Sequence, residues 1–231
     1  MSYLPANTTD GSDAVIYTQL PKHIITGSGI VIITPHTNKN GRTDLAIILF
    51  RDVNTGLYQD LGGTYSSSDY DPVYATINTA IREANEESAN LFKFNKKSLL
   101  SESTKCFAAK YHSNILYVSY HVYVKLNTSI LPYVYSVNRD NLVKNNANHV
   151  WLETDDIQFF FISDIKNYVN NNNFSCPNTD GTLCNLSNRA YCCIQDIYKT
   201  SNNIAFLPYS TETESDNNNN NNNNKTCIFI I

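Results

Sequence analysis

The sequence predicts an α+β fold built on a mixed central sheet, and three features carry the prediction. Short runs rich in β-branched and aromatic residues, separated by polar turns, precede a long helical stretch that begins near Asp71-Pro72 and ends near Ala89. Further strand-like arms and an aromatic run from Phe159 to Phe161 follow that helix. A second amphipathic helix comes later, with Leu186, Ala190, Cys193, Ile194 and Ile197 on one face. At 231 residues the chain can bury one good-sized core.

Residues 1–22 are polar and turn-rich and read as a lead-in. Residues 23–34 form a first strand system, with Gly27 and Gly29 marking a bend or bulge. A polar turn at 38–41 leads to a second strand at 45–50, and a turn at 54–56 leads to a third at 57–61. Gly62-Gly63 follows directly, a bare backbone that another group can approach closely.

The helix has a marked start, because Asp71 suits the N-cap and Pro72 the first helical position. Val73, Ile77, Ala80, Ile81, Ala84, Leu91 and Phe92 recur at helical spacing and make a core-facing stripe. Glu83, Glu86 and Glu87 stand at i, i+3 and i+4, a quarter-turn from that stripe. Like charges at this spacing repel by a few tenths of a kcal/mol per pair, so something should offset them. Arg82, four residues before Glu86, offsets part. A divalent cation would offset the rest; the plain alternative is a solvated acidic face.

Beyond the helix, Lys93, Lys96, Lys97 and Lys110 are either solvated cations near a helix C-terminus or a rim that steers phosphate. Residues 107–111 and 115–125 read as the arms of a hairpin. His121, alone on a tyrosine-rich strand, reads as structural. Residues 167–182 form an Asn-rich loop and 186–199 the second helix. Residues 201–231, with eight consecutive asparagines before an apolar end at Cys227 to Ile231, read as a low-complexity tail.

A net charge of −4 argues against broad electrostatic binding to nucleic acid or an anionic membrane. The N-terminus lacks the pattern of a signal peptide and no apolar run reaches membrane-spanning length, so a cytoplasmic protein with no membrane partner and reduced cysteines is expected. Cys176, Cys184, Cys192 and Cys193 are spaced unlike a structural zinc site.

At Gly62-Gly63 and Arg82-Glu83-Ala84-Asn85-Glu86-Glu87-Ser88-Ala89 the chain resembles the Nudix hydrolase family. The family signature is a glycine, a glutamate six residues on, and then Arg-Glu-apolar-any-Glu-Glu-any-Gly-apolar. The second half is matched here except for Ala89 in place of the glycine and Asn90 at the apolar position. The first half departs: Gly63 lies nineteen residues before Arg82 rather than fourteen, and no glutamate lies between Gly63 and Glu83.

The resemblance covers 23–200 and implies a Nudix-type α/β/α sandwich with a mixed central sheet. It implies a metal-dependent pyrophosphohydrolase that cleaves a diphosphate linkage in a nucleoside diphosphate linked to another group. Glu83, Glu86 and Glu87, with the Gly63 carbonyl, would hold Mg2+ or Mn2+, and Arg82 would orient the glutamates. Glu153 or Asp156, acids shortly before the aromatic run, would add a ligand or accept a proton from water. Asp69, on the lengthened loop, is the candidate to replace the missing glutamate, whose family role is mainly to brace that loop. Capped RNA is a less favoured substrate because the chain is acidic. The alternative is an inactive Nudix-fold nucleotide-binding or regulatory module. Oligomeric state is left open.

Overall fold

The computed structural model describes residues 24–71, 74–101, 104–112, 115–169, 174–197, 210–215 and 225–231. The lead-in at 1–22 lies outside them.

The sheet is arranged around β1 (Ile24–Thr37). The C-terminal part of β1 pairs antiparallel with β2 (Thr43–Asp52), Ile33 facing Ile47. The chain turns at 53–57 into β3 (Tyr58–Gln59), pauses at Asp60, and continues as β4 (Leu61–Thr64), which pairs antiparallel with the earlier part of β1, Gly29 facing Gly62. The expected third strand is thus split in two. Along the other edge of β1 runs β7 (Ile115–Tyr123), in parallel, with Ile30 facing Tyr120, and β7 forms the expected hairpin with β6 (Thr104–His112). The aromatic run lies in β8 (Thr154–Phe161), antiparallel to β2 with Phe160 facing Ile47. Among the described residues these seven strands form one mixed sheet.

Alternation within the strands sends apolar side chains to both faces. Ile30, Ile32, Ile48 and Phe50 face one core; Val31, Ile33, Ile47 and Leu49 face the other. A sheet apolar on both sides needs cover on both. On the first face lie α1 (Ala75–Glu87), through Ile77, Ala80 and Ala84, and, beyond the short α2 (Lys96–Leu99), α3 (Leu131–Lys144), through Leu131 and Tyr135. On the second lie α4 (Ile162–Val169), through Ile165, and, after the hairpin of β9 (Ser175–Pro177) and β10 (Leu183–Asn185), α5 (Asn188–Ile197), through Ala190, Ile194 and Ile197. The layers are α/β/α. The sequence reading did not anticipate α3, whose apolar residues fall on exposed as well as buried positions and so make no clear stripe. No helix among the described residues is long and apolar enough to cross a membrane.

The long helix starts later than expected. Ala75 is its first residue, and Asp71 Oδ1 accepts from the Tyr74 N–H (3.0 Å), closing a turn ahead of the helix instead of capping it. Its end is abrupt because Ala89 (φ 51°) and Asn90 (φ 59°) take left-handed conformations that reverse the chain into β5 (Phe92–Lys93).

The C-terminus also departs from the expectation. Rather than a detached tail, the chain forms β11 (Ser210–Ser215) and β12 (Lys225–Ile230), antiparallel to each other, and β12 pairs in parallel with β5. Phe229 is fully buried against Phe92, ring centroids 6.0 Å apart, and Ile231 donates its N–H to the Lys93 carbonyl (3.0 Å). Burying one phenylalanine contributes about 1.5–3 kcal/mol, enough to hold the end of a polar segment. The asparagine run lies outside the described residues.

Candidate active site

The site is built where α1 crosses β4, and glycines let them touch. A Cβ on Gly63 would lie 2.4 Å from Glu83 Oε1, so the carboxylate rests on bare backbone. One residue earlier, the Gly62 N–H donates to Glu87 Oε2 (2.5 Å). Gly62 also faces Gly29 across the ladder, and a Cβ on either would lie 2.0 Å from the Tyr117 hydroxyl. That hydroxyl passes between the strands and donates to Asp60 Oδ2 (2.7 Å).

Arg82 organises the acids of α1. Its Nε and Nη2 donate to Asp69 Oδ1 and Oδ2, both at 2.9 Å, Nη2 also reaches Glu83 Oε1 (2.8 Å) and the Thr64 carbonyl (3.0 Å), and Nη1 reaches Glu86 Oε2 (2.9 Å). Asp69, 4% exposed, further accepts from the Ser66 N–H and the Thr79 hydroxyl. It therefore ties the lengthened loop to the helix.

Burial governs the charge states. It pushes the Glu83 carboxyl up despite the Arg82 guanidinium beside it. It pushes Glu87 well above the ordinary carboxylate range; Arg189 opposes this, while Glu83 and Asp60 add to it. Arg82 is held above its usual value, chiefly by its hydrogen bonds to Asp69. At the end of α1 the Thr154 hydroxyl donates to the Glu87 carbonyl, which fixes the start of β8, and Glu153 just before it, against the helix.

These elements enclose a cavity of about 410 Å³ lined by Gly62, Gly63, Arg82, Glu83, Glu86, Glu87, Glu153 and Arg189, with Asp52 among the remaining residues. Five acids line it against two bases. Six of the sequence candidates, Gly63, Arg82, Glu83, Glu86, Glu87 and Glu153, thus come together.

Others do not. Asp156 accepts from the Tyr58 hydroxyl (2.5 Å) and Gln158 Nε2 (3.1 Å) on the α5 side of the sheet, because strand alternation turns it away from α1. Lys96 pairs with Asp71 (3.3 Å) and lies over the Tyr74 ring. Lys93 and Lys97 are exposed, and none of these three lysines lines the cavity. The Lys110 side chain lies outside the described residues. The Gly63 carbonyl faces β1, 2.3 Å from where a Cβ on Gly27 would stand, so Gly63 meets Glu83 through its Cα rather than through that oxygen.

The sequence reading missed Arg189. It reaches the cavity from α5, its Nε bonded to Asp60 Oδ1 (2.6 Å), its Nη2 to the Asp60 carbonyl (3.0 Å), and its guanidinium over the Tyr117 ring. Asp60 is fully buried. A buried acid and a partly buried base separated by 129 residues leave no spacing signal; charges interrupting a strand and a helix face are the only trace.

The donor atoms here are hard carboxylate oxygens, the kind Mg2+ or Mn2+ takes. As oriented, they turn to Arg82 and the Gly62 N–H, and no group of three or more His, Cys, Asp or Glu among the described residues is arranged to hold a metal ion.

Fold and site define an α/β/α sandwich whose glutamate-bearing helix packs on a glycine strand. No family model and no curated protein matches the chain. Among solved structures it is similar to the NUDIX domain of Shewanella oneidensis NrtR complexed with ADP ribose, at 11% identity and a TM-score of 0.40, over 77% of this chain and 87% of that one.

Proposed function

We propose that this chain is a Nudix-type pyrophosphohydrolase that cleaves the diphosphate linkage of a nucleoside diphosphate joined to a further group. The observation that carries this reading is the gathering of Arg82, Glu83, Glu86, Glu87 and Glu153 around one cavity beside the glycine strand β4.

Anhydride hydrolysis needs charge neutralised on the phosphate oxygens and a water made nucleophilic; Mg2+ or Mn2+ supplies both when bound. Glu83, Glu86 and Glu87 are the residues that would hold the ion. Arg82, braced by Asp69, orients Glu83 and Glu86. Glu153 accepts the proton of the water whose oxygen attacks phosphorus, while the bond from phosphorus to the bridging oxygen breaks. Arg189 places positive charge at the cavity wall, where it balances phosphate oxygens.

A second reading, a nucleotide-binding module without turnover, is favoured by the engagement of Glu83 and Glu86 with Arg82 and of Glu87 with the Gly62 N–H. The deciding experiment incubates the protein with a panel of nucleoside diphosphate derivatives and Mg2+ or Mn2+, following products by mass. Turnover dependent on the ion and abolished by Glu86→Gln supports the hydrolase; nucleotide binding with no product under either ion supports the module.

A further inference from the structure

The hairpin of β9 and β10 brings two cysteines face to face. Cys176 and Cys184 are direct partners in its antiparallel register, and both thiols are free. Two residues to either side of them, the Asn178 N–H donates to the Thr182 carbonyl (2.8 Å) and the Leu186 N–H to the Phe174 carbonyl (2.6 Å). The alternation of the ladder therefore makes the cysteines a hydrogen-bonded pair, with Cα atoms about 5.5 Å apart. That is close to the separation most disulfides span. Both side chains enter the core that holds Tyr58, Leu186 and Ile194. The turn fixes this register, because Asn178 Oδ1 accepts from the Asp180 and Thr182 N–H groups (3.0 and 2.9 Å).

We propose that Cys176 and Cys184 form a reversible disulfide that fastens β10, and with it the start of α5, to β9. Burial pushes the Cys176 thiol up to about 12 and the Cys184 thiol up as well, so the closed hairpin keeps both protonated and unreactive. Access comes by opening. Two strands of three residues each, with Leu183 and Asn185 exposed on the outer side, part at lower cost than the seven-stranded sheet. Glutathione disulfide is the oxidant. The thiolate of one cysteine attacks it and releases one glutathione; the second cysteine attacks the mixed disulfide and releases the other. Two S–H bonds are replaced by one S–S bond, and the two electrons and two protons leave on the two glutathione thiols. Beyond Cys184 the chain has little slack. The Ser187 N–H donates to the Tyr58 carbonyl (2.9 Å), and Ser187 Oγ accepts from the Ala190 N–H (3.0 Å) in the first turn of α5. Arg189 lies in the same turn, bonded to Asp60. A bridge that stops the hairpin opening thus holds that turn in place.

The test incubates the intact protein, without denaturant or substrate, at a series of glutathione to glutathione disulfide ratios, then alkylates and digests it with trypsin. Residues 167–189 form one tryptic peptide that carries Cys176 and Cys184 and none of the other four cysteines. Under oxidation this peptide should be two hydrogens lighter and unalkylated, and excess glutathione should reverse the change. Hydrogen exchange at amides 186–191 should be at least tenfold slower in the oxidised form. Cys184→Ala should abolish both effects, with Cys176→Ala as the second variant. Alkylation of both cysteines at every ratio, a bridge to a cysteine outside 167–189, or equal exchange in the two forms overturns the assignment. If neither variant folds, the parent digest and its exchange rates decide alone.

Discussion

Asp69 grips Arg82 through two parallel hydrogen bonds, Nε to Oδ1 and Nη2 to Oδ2, each 2.9 Å long. The loop that carries Asp69 is the stretch in which the Nudix resemblance lacks its first glutamate, and a carboxylate from that loop here braces the arginine next to Glu83. Asp69→Asn keeps the shape and removes the charge, leaving Arg82 with Glu83 and Glu86 as its acidic partners. Losing one partner of a largely buried pair costs about 3–5 kcal/mol. Arg82 remains a quarter exposed, so about 2 kcal/mol is expected after allowing for solvent screening. Urea denaturation checks the stability, and turnover should fall at least tenfold if the pair sets the glutamates. A variant as stable and active as the parent removes Asp69 from the site.

Glu87 is 4% exposed, beside a second buried acid, Glu83. Glu87→Gln keeps an oxygen that can accept the Gly62 N–H while removing a poorly compensated buried charge. The variant should melt at or above the parent temperature and lose turnover by two or more orders of magnitude if the carboxylate supports the ion that activates water. Calorimetry and product analysis on the same sample separate the two effects. Full activity in the variant would remove Glu87 from the ligand set.

Arg189 and fully buried Asp60 should behave as a unit. Arg189→Met leaves Asp60 without its guanidinium and should cost about 3–5 kcal/mol. The double variant with Asp60→Asn should cost less than the sum of the singles, with a coupling of about 1–3 kcal/mol in a denaturation cycle. Additive costs would show that the 2.6 Å contact contributes no net stability.

Phe229 tests the C-terminal strand. Its removal from the contact with Phe92 by Phe229→Ala should cost about 3–5 kcal/mol, because the cavity lies inside the core and not at a fraying end. Thermal unfolding reads this directly. A change of less than a degree in melting temperature would restore the detached-tail reading.

His121, fully buried on β7, has its imidazole pushed down to about 3 by burial, against an ordinary value of 6.5. The folded protein keeps the ring neutral while the unfolded chain takes up a proton below 6.5. Stability is therefore full above pH 6.5 and declines as pH falls toward 3, by about 1.4 kcal/mol per pH unit for one proton. His36, also lowered by burial, adds in the same direction. Urea midpoints between pH 7.5 and 5 should show the slope, and His121→Gln should make it shallower. An unchanged slope in the variant excludes His121 as its source.

Much of the helix was legible because its signal is local. Residues at i, i+3 and i+4 share a face wherever a helix forms, so Ile77, Ala80 and Ala84 announce a buried stripe and Glu83, Glu86 and Glu87 an acidic edge, whatever surrounds them. The continuous apolar runs at 30–33 and 46–50 likewise announced strands, while their burial on both faces of the sheet came from the structure. Helix α3 was hidden because its exposed Tyr133 and Val143 blur the stripe that Leu131 and Tyr135 begin.

The amino-acid sequence by itself determined that Arg82 and three glutamates share one helix edge after a glycine pair, because a helix fixes its own side-chain directions. Only the tertiary structure decided what meets that edge. Glu153 faces the cavity while Asp156, three residues on, faces the opposite layer, a matter of where β8 begins and how its alternation falls against β2. Arg189 enters from another helix to meet Asp60, and Phe229 converts the end of a polar segment into core by pairing β12 with β5. These contacts join residues more than a hundred positions apart, and their free energy exists only once the sheet has brought the backbone segments together; no period or spacing in the chain encodes it.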